Sequence, residues 1–227
     1  AISAYWRPML RSLVYGGIAT FICLVLGYVL AYAIAFKSGR WKNLMLVLVI
    51  APFFTSFLVR TLAWKLLLGD HGVIVDVLQT VHVLGPEGRL LATPFAVVTG
   101  LTYNFLPFMV LPLYVALEKV DHRLVEAATD LYASRLQAFL RVTLPLSMPG
   151  VFAGSLLTFI PSVGDFVNAQ ILGGPGTRMI GNVIQDRFLN ANQFPEAAAL
   201  GFVLMATILL MVVIYARLVG ADELTSG

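Results

Sequence analysis

The sequence predicts an all-α, polytopic membrane helical bundle, and three observations carry that prediction. Hydrophobic residues make up 59% of the chain and charged residues 12%, against roughly a quarter charged in an average soluble domain. Mean hydropathy is +0.88, which is more apolar surface than a soluble core can hide, so lipid is the solvent the composition requires. The apolar residues also fall in long runs. A helix needs about 20 mainly apolar residues to cross a hydrocarbon core of roughly 30 Å, and five stretches qualify.

Residues 12–36 contain no charge, and 43–68 contain only Arg60 and Lys65, both in the later half. Residues 90–117 are uncharged but hold Pro94, Pro107 and Pro112, which predicts a kinked helix whose freed backbone groups face protein or a cavity. Residues 148–172 are interrupted by Pro149, Pro161 and Asp165, and 197–216 are again uncharged. The first run is too long for a cleaved leader, and others of equal length follow it.

Lys and Arg set the expected orientation, because cytoplasmic loops carry the excess. Placing the loop after the first helix inside gives that side Lys37, Arg40, Lys42, Lys119, Arg123, Arg135, Arg141 and Arg217. The other side keeps Arg7, Arg11, Arg89, Arg178 and Arg187. The expectation is an external N-terminus, a cytoplasmic C-terminus and a cytoplasmic loop over residues 118–145. An external start on a chain that opens with Ala1 implies a further helix upstream. Outside, residues 69–89 read as a polar connector with Gly72 and a Gly85-Pro86 turn. Residues 173–196 open with the tight turn Gly173-Gly174-Pro175-Gly176 and continue as a short amphipathic helix through Val183, Ile184, Phe188 and Leu189, suited to lying at the membrane surface.

Several functions are disfavoured by the same inventory. The single cysteine, Cys23, lies in an apolar run and reads as a packing residue. The net charge of +3 is scattered between apolar runs and forms no basic face for nucleic acid. His71, His82 and His122 lack ligand spacing, so no metal site is expected. No G-x-x-x-x-G-K-[ST] loop is present, so the chain is read as no enzyme and as holding no cofactor of its own.

The internal loop is the most informative segment. Leu124, Ala128 and Leu131 recur at helical spacing, and Leu136, Phe139 and Leu140 follow a polar break at Ser134-Arg135. This predicts two short helices closed by Leu144-Pro145, a docking element and not a plain connector. Glu126-Ala127-Ala128, followed by Leu144-Pro145 and then Pro149-Gly150, resembles the EAA signature of permease subunits of binding-protein-dependent ABC importers. That resemblance implies the ABC importer permease architecture, with residues 118–145 as a coupling loop inside a single permease domain spanning 1–227. It further implies a pair of cytoplasmic ATPase subunits that bind ATP and magnesium, a second homologous permease in a heterodimer, and an external substrate-binding protein. The location implied is the bacterial inner membrane, multi-pass. Small alanines permit close approach to a partner, and Glu126 can accept charge-assisted hydrogen bonds from a partner arginine.

One position departs from the family pattern. Glycine usually stands six residues after the glutamate, where the chain turns, and here the residue is Tyr132. A positive φ at tyrosine is costly, so either the turn moves to Ala133-Ser134 or the ring packs on the ATPase. Other runs resemble the spermidine/putrescine permeases: residues 55–61, 103–108 and 159–167, and Leu172-Gly173-Gly174-Pro175. That resemblance covers essentially the whole chain and implies six membrane helices.

Candidate pathway residues follow from charge and depth. Asp165 is the only acid well inside an apolar segment, where an ionisable group costs a few kcal/mol. It reads either as an attractor for a cationic substrate, or as the partner of Arg60 or of a helix terminus. Asn168 shares its helix face. Arg60 divides between pathway and structural pairing, while Lys65 reads as snorkelling to the interface. Tyr103 and Asn104 precede Pro107, and Tyr103, Phe54 or Phe166 can hold an ammonium group by cation–π attraction. Two alternatives stay open at this point: the same machinery importing a sugar, sulfate, phosphate or iron complex, and an ion-coupled secondary transporter, which would leave the elaborated loop unexplained.

Overall fold

The structure is a computed structural model that describes residues 5–85 and 88–219. Among the described residues the regular elements are all helices: α1 (Trp6–Phe36), α2 (Lys42–Ile50), α3 (Phe57–Leu68), α4 (Val73–Thr80), α5 (Pro94–Glu118), α6 (His122–Asp130), α7 (Arg135–Ala138), α8 (Leu144–Leu146), α9 (Met148–Gly164), α10 (Val167–Ile171), α11 (Ile180–Gln185) and α12 (Phe194–Val219). Three are long and apolar enough to cross a membrane, and up to five spans result if each of two bent pairs counts as one. The predicted class holds.

Three predicted boundaries change, each for a local reason. The stretch 43–68 is two helices, with a 3₁₀ turn at Ala51–Phe54 after α2 and a restart at Ser56, whose φ is −53° and ψ 136°. Pro52 cannot donate the N–H that would continue the α2 ladder. Residues 69–89 are not only a connector, because they contain α4. Its β-branched sequence is a weak helix former, but Val75 is fully buried and Ile74 packs against the Leu68 cluster, so tertiary contact overrides propensity. The Gly85-Pro86 turn involves Pro86, which lies outside the described residues. In 148–172, Pro149 falls in the first turn of α9, where its missing N–H costs nothing, and the helix continues through Pro161. The interruption comes at Asp165-Phe166, before α10.

The chain divides into two compact units, one from residues up to 20, 55–104 and from 159 onward, the other from 21–54 and 105–158. In the first, Leu68, Ala96 and Leu172 form a buried cluster with Trp64, Ile74, Leu90 and Leu91. The predicted tight turn is a 3₁₀ turn at Pro175–Thr177, and the amphipathic helix is α11 continuing as a π turn over Asp186–Asn190. Ile180 N donates to Ser12 Oγ at 2.9 Å, which ties α11 to α1. Arg178 pairs with Asp186 at the surface and holds that carboxyl below its ordinary range.

In the second unit the core is Cys23, Ala31, Ile34, Met109, Val110, Leu113 and Leu117, so Cys23 is the packing residue expected. Two glycines allow the close approach. A Cβ at Gly27 would stand 2.9 Å from Met109 Cγ, and one at Gly150 would stand 2.7 Å from the Pro112 carbonyl oxygen. Large apolar side chains on α12 and on the outward faces of α1 stay exposed, among them Phe21 and Phe202, as a lipid-facing surface requires.

Candidate functional site

Two sites emerge, one in each unit. The first is a buried polar cluster in the unit that holds α3, α10 and the first part of α5. Asn168 on α10 is fully buried, and its Oδ1 accepts from Asn104 Nδ2 on α5 at 3.1 Å. Thr61 Oγ1 on α3 lies 3.4 Å from the same oxygen and 3.0 Å from the Phe57 carbonyl, the better acceptor for its one proton. Asn104 Nδ2 also reaches Thr61 Oγ1 at 3.3 Å. Asn104 Oδ1 is buried with no hydrogen-bond partner among the described residues. Leaving such an acceptor unmet costs about 1–3 kcal/mol. Gly100 makes room for the cluster, since a Cβ there would stand 2.6 Å from Asn168 Oδ1.

Asp165 sits at the break between α9 and α10, 8% exposed, and its Oδ1 accepts from Asn168 N at 2.8 Å. Of the roles left open by the sequence, a hydrogen bond to a helix terminus is therefore present. Phe166 is 39% exposed, and its carbonyl accepts from Asn182 Nδ2 at 2.8 Å. Tyr103 stacks edge-on against Trp64 with ring centroids 5.4 Å apart and keeps 37% of its surface exposed. Arg60 is buried with its guanidinium 5.7 Å from the Phe57 ring, while Lys65 is exposed. The cluster thus joins Asn104 and Asn168 directly, and Asp165 is tied to it through the Asn168 N–H. Phe54 belongs to the other unit and is 88% exposed. Thr61 was missed by sequence reasoning. Its only signal was its place in the run 55–61, and threonine is frequent in membrane helices.

Replacing Asn168 with alanine leaves Asn104 Nδ2 without its carboxamide acceptor. The expected result is a loss of about 1–3 kcal/mol in stability. It should be strongly non-additive with Asn104→Ala in a double-mutant cycle read by thermal unfolding in detergent. Additive losses would show that the two amides do not interact.

The second site is the loop at 118–145. Asp121 accepts from Arg123 N and starts α6, which carries Glu126, Ala127 and Ala128. Ser134 caps α7 in a reciprocal capping box with Gln137. The two predicted helices and the break between them are present. Leu144-Pro145 does not close the second helix, however, because α7 runs through a π turn at Phe139–Thr143 into α8, which is bent by 63° from α9. Pro145 sits in α8 directly after the π turn. The loop is held to α1 by aromatic contacts: Phe139 stands edge-on to Tyr28 at 5.6 Å and to Tyr32 at 6.0 Å. The Tyr28 and Ser147 hydroxyls are hydrogen-bonded at 2.7 Å. Tyr28 and Tyr32, four residues apart on one helix face, were not singled out from the sequence. At the root of the loop Lys42 Nζ pairs with Glu118 Oε1 at 2.6 Å and lies 5.2 Å from the Tyr114 ring.

Tyr132 has φ of +62°, so the turn does not move to Ala133-Ser134. The hydrogen bonds explain why. Tyr132 N donates to Thr129 O at 3.0 Å and Ala133 N donates to Ala128 O at 3.1 Å. This is the Schellman arrangement that ends a helix and requires a left-handed residue at this position. For tyrosine that conformation costs roughly 1 kcal/mol or more.

Comparison with known proteins adds the following. The profile of the family described as binding-protein-dependent transport system inner membrane component matches residues 11–221. The spermidine/putrescine transport system permease protein PotB of Escherichia coli is 42% identical over 213 residues, 94% of this chain and 78% of that protein. PotB of Haemophilus influenzae is also 42% identical, across 74% of its own length. The inner membrane ABC transporter permease protein YdcU of Escherichia coli is 35% identical over 97% of this chain and 74% of its own. Among solved structures, a bacterial ABC transporter that imports the acidic polysaccharide alginate superposes with a TM-score of 0.75 at 18% identity, covering 95% of this chain and 78% of that one. At that identity the likeness speaks for the fold.

Proposed function

The chain belongs to the family of binding-protein-dependent transport system inner membrane components, and on that premise we propose that its transported solute is a polyamine of the spermidine/putrescine class. As a permease subunit of an ABC importer it is a transport component and not an enzyme. The observation that carries the substrate class is the buried cluster. Asn104 Oδ1 is an acceptor with no partner, Asp165 is an acid inside an apolar segment, and Tyr103 and Phe166 keep ring surface exposed beside them in sequence. Ammonium groups offer only donors, so the unmet acceptor, the carboxylate and the aromatic faces suit them, while the buried Asn168 Nδ2, a donor likewise without a partner among the described residues, does not. The 42% identity to PotB supports the same substrate.

In this reading residues 1–227 act as one permease domain with a cytoplasmic C-terminus. An external binding protein delivers the polyamine, and a second permease completes the pathway in a heterodimer. The residues we assign to the pathway are Phe54, Arg60, Tyr103, Asn104, Asp165, Phe166 and Asn168. Two cytoplasmic ATPase subunits bind ATP and magnesium and press on residues 118–145, where Glu126, Ala127, Ala128, Tyr132, Ser134, Leu144 and Pro145 form or shape the docking element. ATP-driven closure then biases a two-state change in the helices. The test is ATPase activity of the reconstituted transporter with binding protein loaded with spermidine or putrescine. Stimulation by either is expected. A response to a sugar, sulfate, phosphate or iron complex and to no polyamine would refute the assignment.

A further inference from the structure

The turn between α6 and α7 combines a strained backbone with a side chain that no described residue covers. Tyr132 holds φ of +62° and its surface is 99% exposed. Glycine would remove the strain, and within this chain the ring compensates for none of it. Strain of this kind persists where a function holds it. The neighbours of the ring are also apolar and open: Leu131 is 81% exposed and Leu136 66%. A large aromatic flanked by two leucines, with charged side chains close by in the loop, has the composition of an interface centre with a charged rim.

The rim favours a protein over a lipid surface. Glu126 and Asp130 stand exposed on α6 alongside Arg123, and Arg135 opens α7. An anionic membrane surface attracts uniformly basic segments and would repel the two carboxylates, whereas a mixed-charge rim suits a complementary protein surface. The Schellman turn places the ring just past the end of α6, where it stays almost fully exposed.

We propose that Tyr132 is a pin that inserts into an apolar socket on the cytoplasmic ATPase subunit and selects that partner over ATPases shaped for a glycine turn. This rests on the reading of the loop as the ATPase contact and adds to it a residue that sets affinity and choice of partner. The ring is what binds, and the strained turn is the means of presenting it. Leu131 and Leu136 line the contact around it. The effects of ring and backbone are therefore separable by substitution.

The experiment measures binding of the transporter's own purified ATPase subunit to the permease complex in nanodiscs, together with thermal unfolding of the permease alone. Tyr132→Phe is expected to bind within a few-fold of wild type. Tyr132→Ala is expected to lose about tenfold or more in affinity. Tyr132→Gly is expected to lose as much while its Tm rises by about 2–4 °C, an opposition that a merely structural residue does not produce. A benzophenone side chain at position 132, photolysed in native vesicles, should crosslink to the ATPase. Full affinity in the Ala and Gly variants, or crosslinks to lipid alone, overturns the pin. Failure of the wild-type complex to bind the ATPase overturns instead the reading of the loop on which it rests.

Discussion

Asp165→Asn is expected to cut polyamine uptake by about tenfold or more while the transporter assembles normally. The change separates the two things the carboxylate can do. Its Oδ1 accepts from Asn168 N at 2.8 Å, and an asparagine oxygen can take over that bond, so the turn from α9 into α10 survives. The negative charge does not survive. A hydrogen bond to a charged group contributes about 1.5–3 kcal/mol, and about 1.4 kcal/mol is a factor of ten. Uptake of labelled spermidine into vesicles gives the readout, with complex yield after purification as the control for assembly. Asp165→Ala should do more damage, since it also removes the helix-terminal acceptor, and its complex yield should fall. Unchanged uptake in the asparagine variant would reduce Asp165 to a cap.

The second large effect is on folding. Gly150→Val is expected to destabilise the second unit by about 1–3 kcal/mol or more, the usual cost of forcing atoms into a packed contact. A Cβ at this position would stand 2.5 Å from Ala116 Cβ and 2.7 Å from the Pro112 carbonyl oxygen. Neither can retreat cheaply, because both belong to the α5 backbone or lie one bond from it. Gly17 is the internal control: nothing lies within 4 Å of a Cβ placed there. Gly17→Ala should leave Tm unchanged or raise it, as alanine is about 1 kcal/mol the better helix former. A Gly150→Val variant that melts with the wild type would show that α5 and α9 do not meet as described.

The legible parts of this protein were those that depend on neighbours in sequence. Hydropathy runs marked the spans, because crossing lipid is a matter of length and composition along one helix. The loop at 118–145 was readable for the same reason, with apolar periodicity giving its two helices and Ser134-Arg135 the break between them. The break before α10 was signalled by Asp165 itself. Where local signals conflicted with packing they failed. The run of β-branched residues in α4 concealed a helix that is held by burial of Val75, and the long apolar stretch 43–68 concealed a break at Pro52.

By itself, then, the sequence determined the solvent, the membrane-crossing runs, the two-helix build of the loop at 118–145 and the family, all properties written within a few turns of chain. The structure decided which polar groups meet and which backbone conformation the odd tyrosine takes. Asn104 pairs with Asn168 across 64 residues and approaches Thr61 across 43, a meeting that depends on how three helices pack and on the space left at Gly100. Tyr132 is left-handed because the carbonyls of Ala128 and Thr129 take the two N–H groups at the end of α6. In both places the geometry is set by hydrogen bonds and close approaches that residue types permit but do not specify.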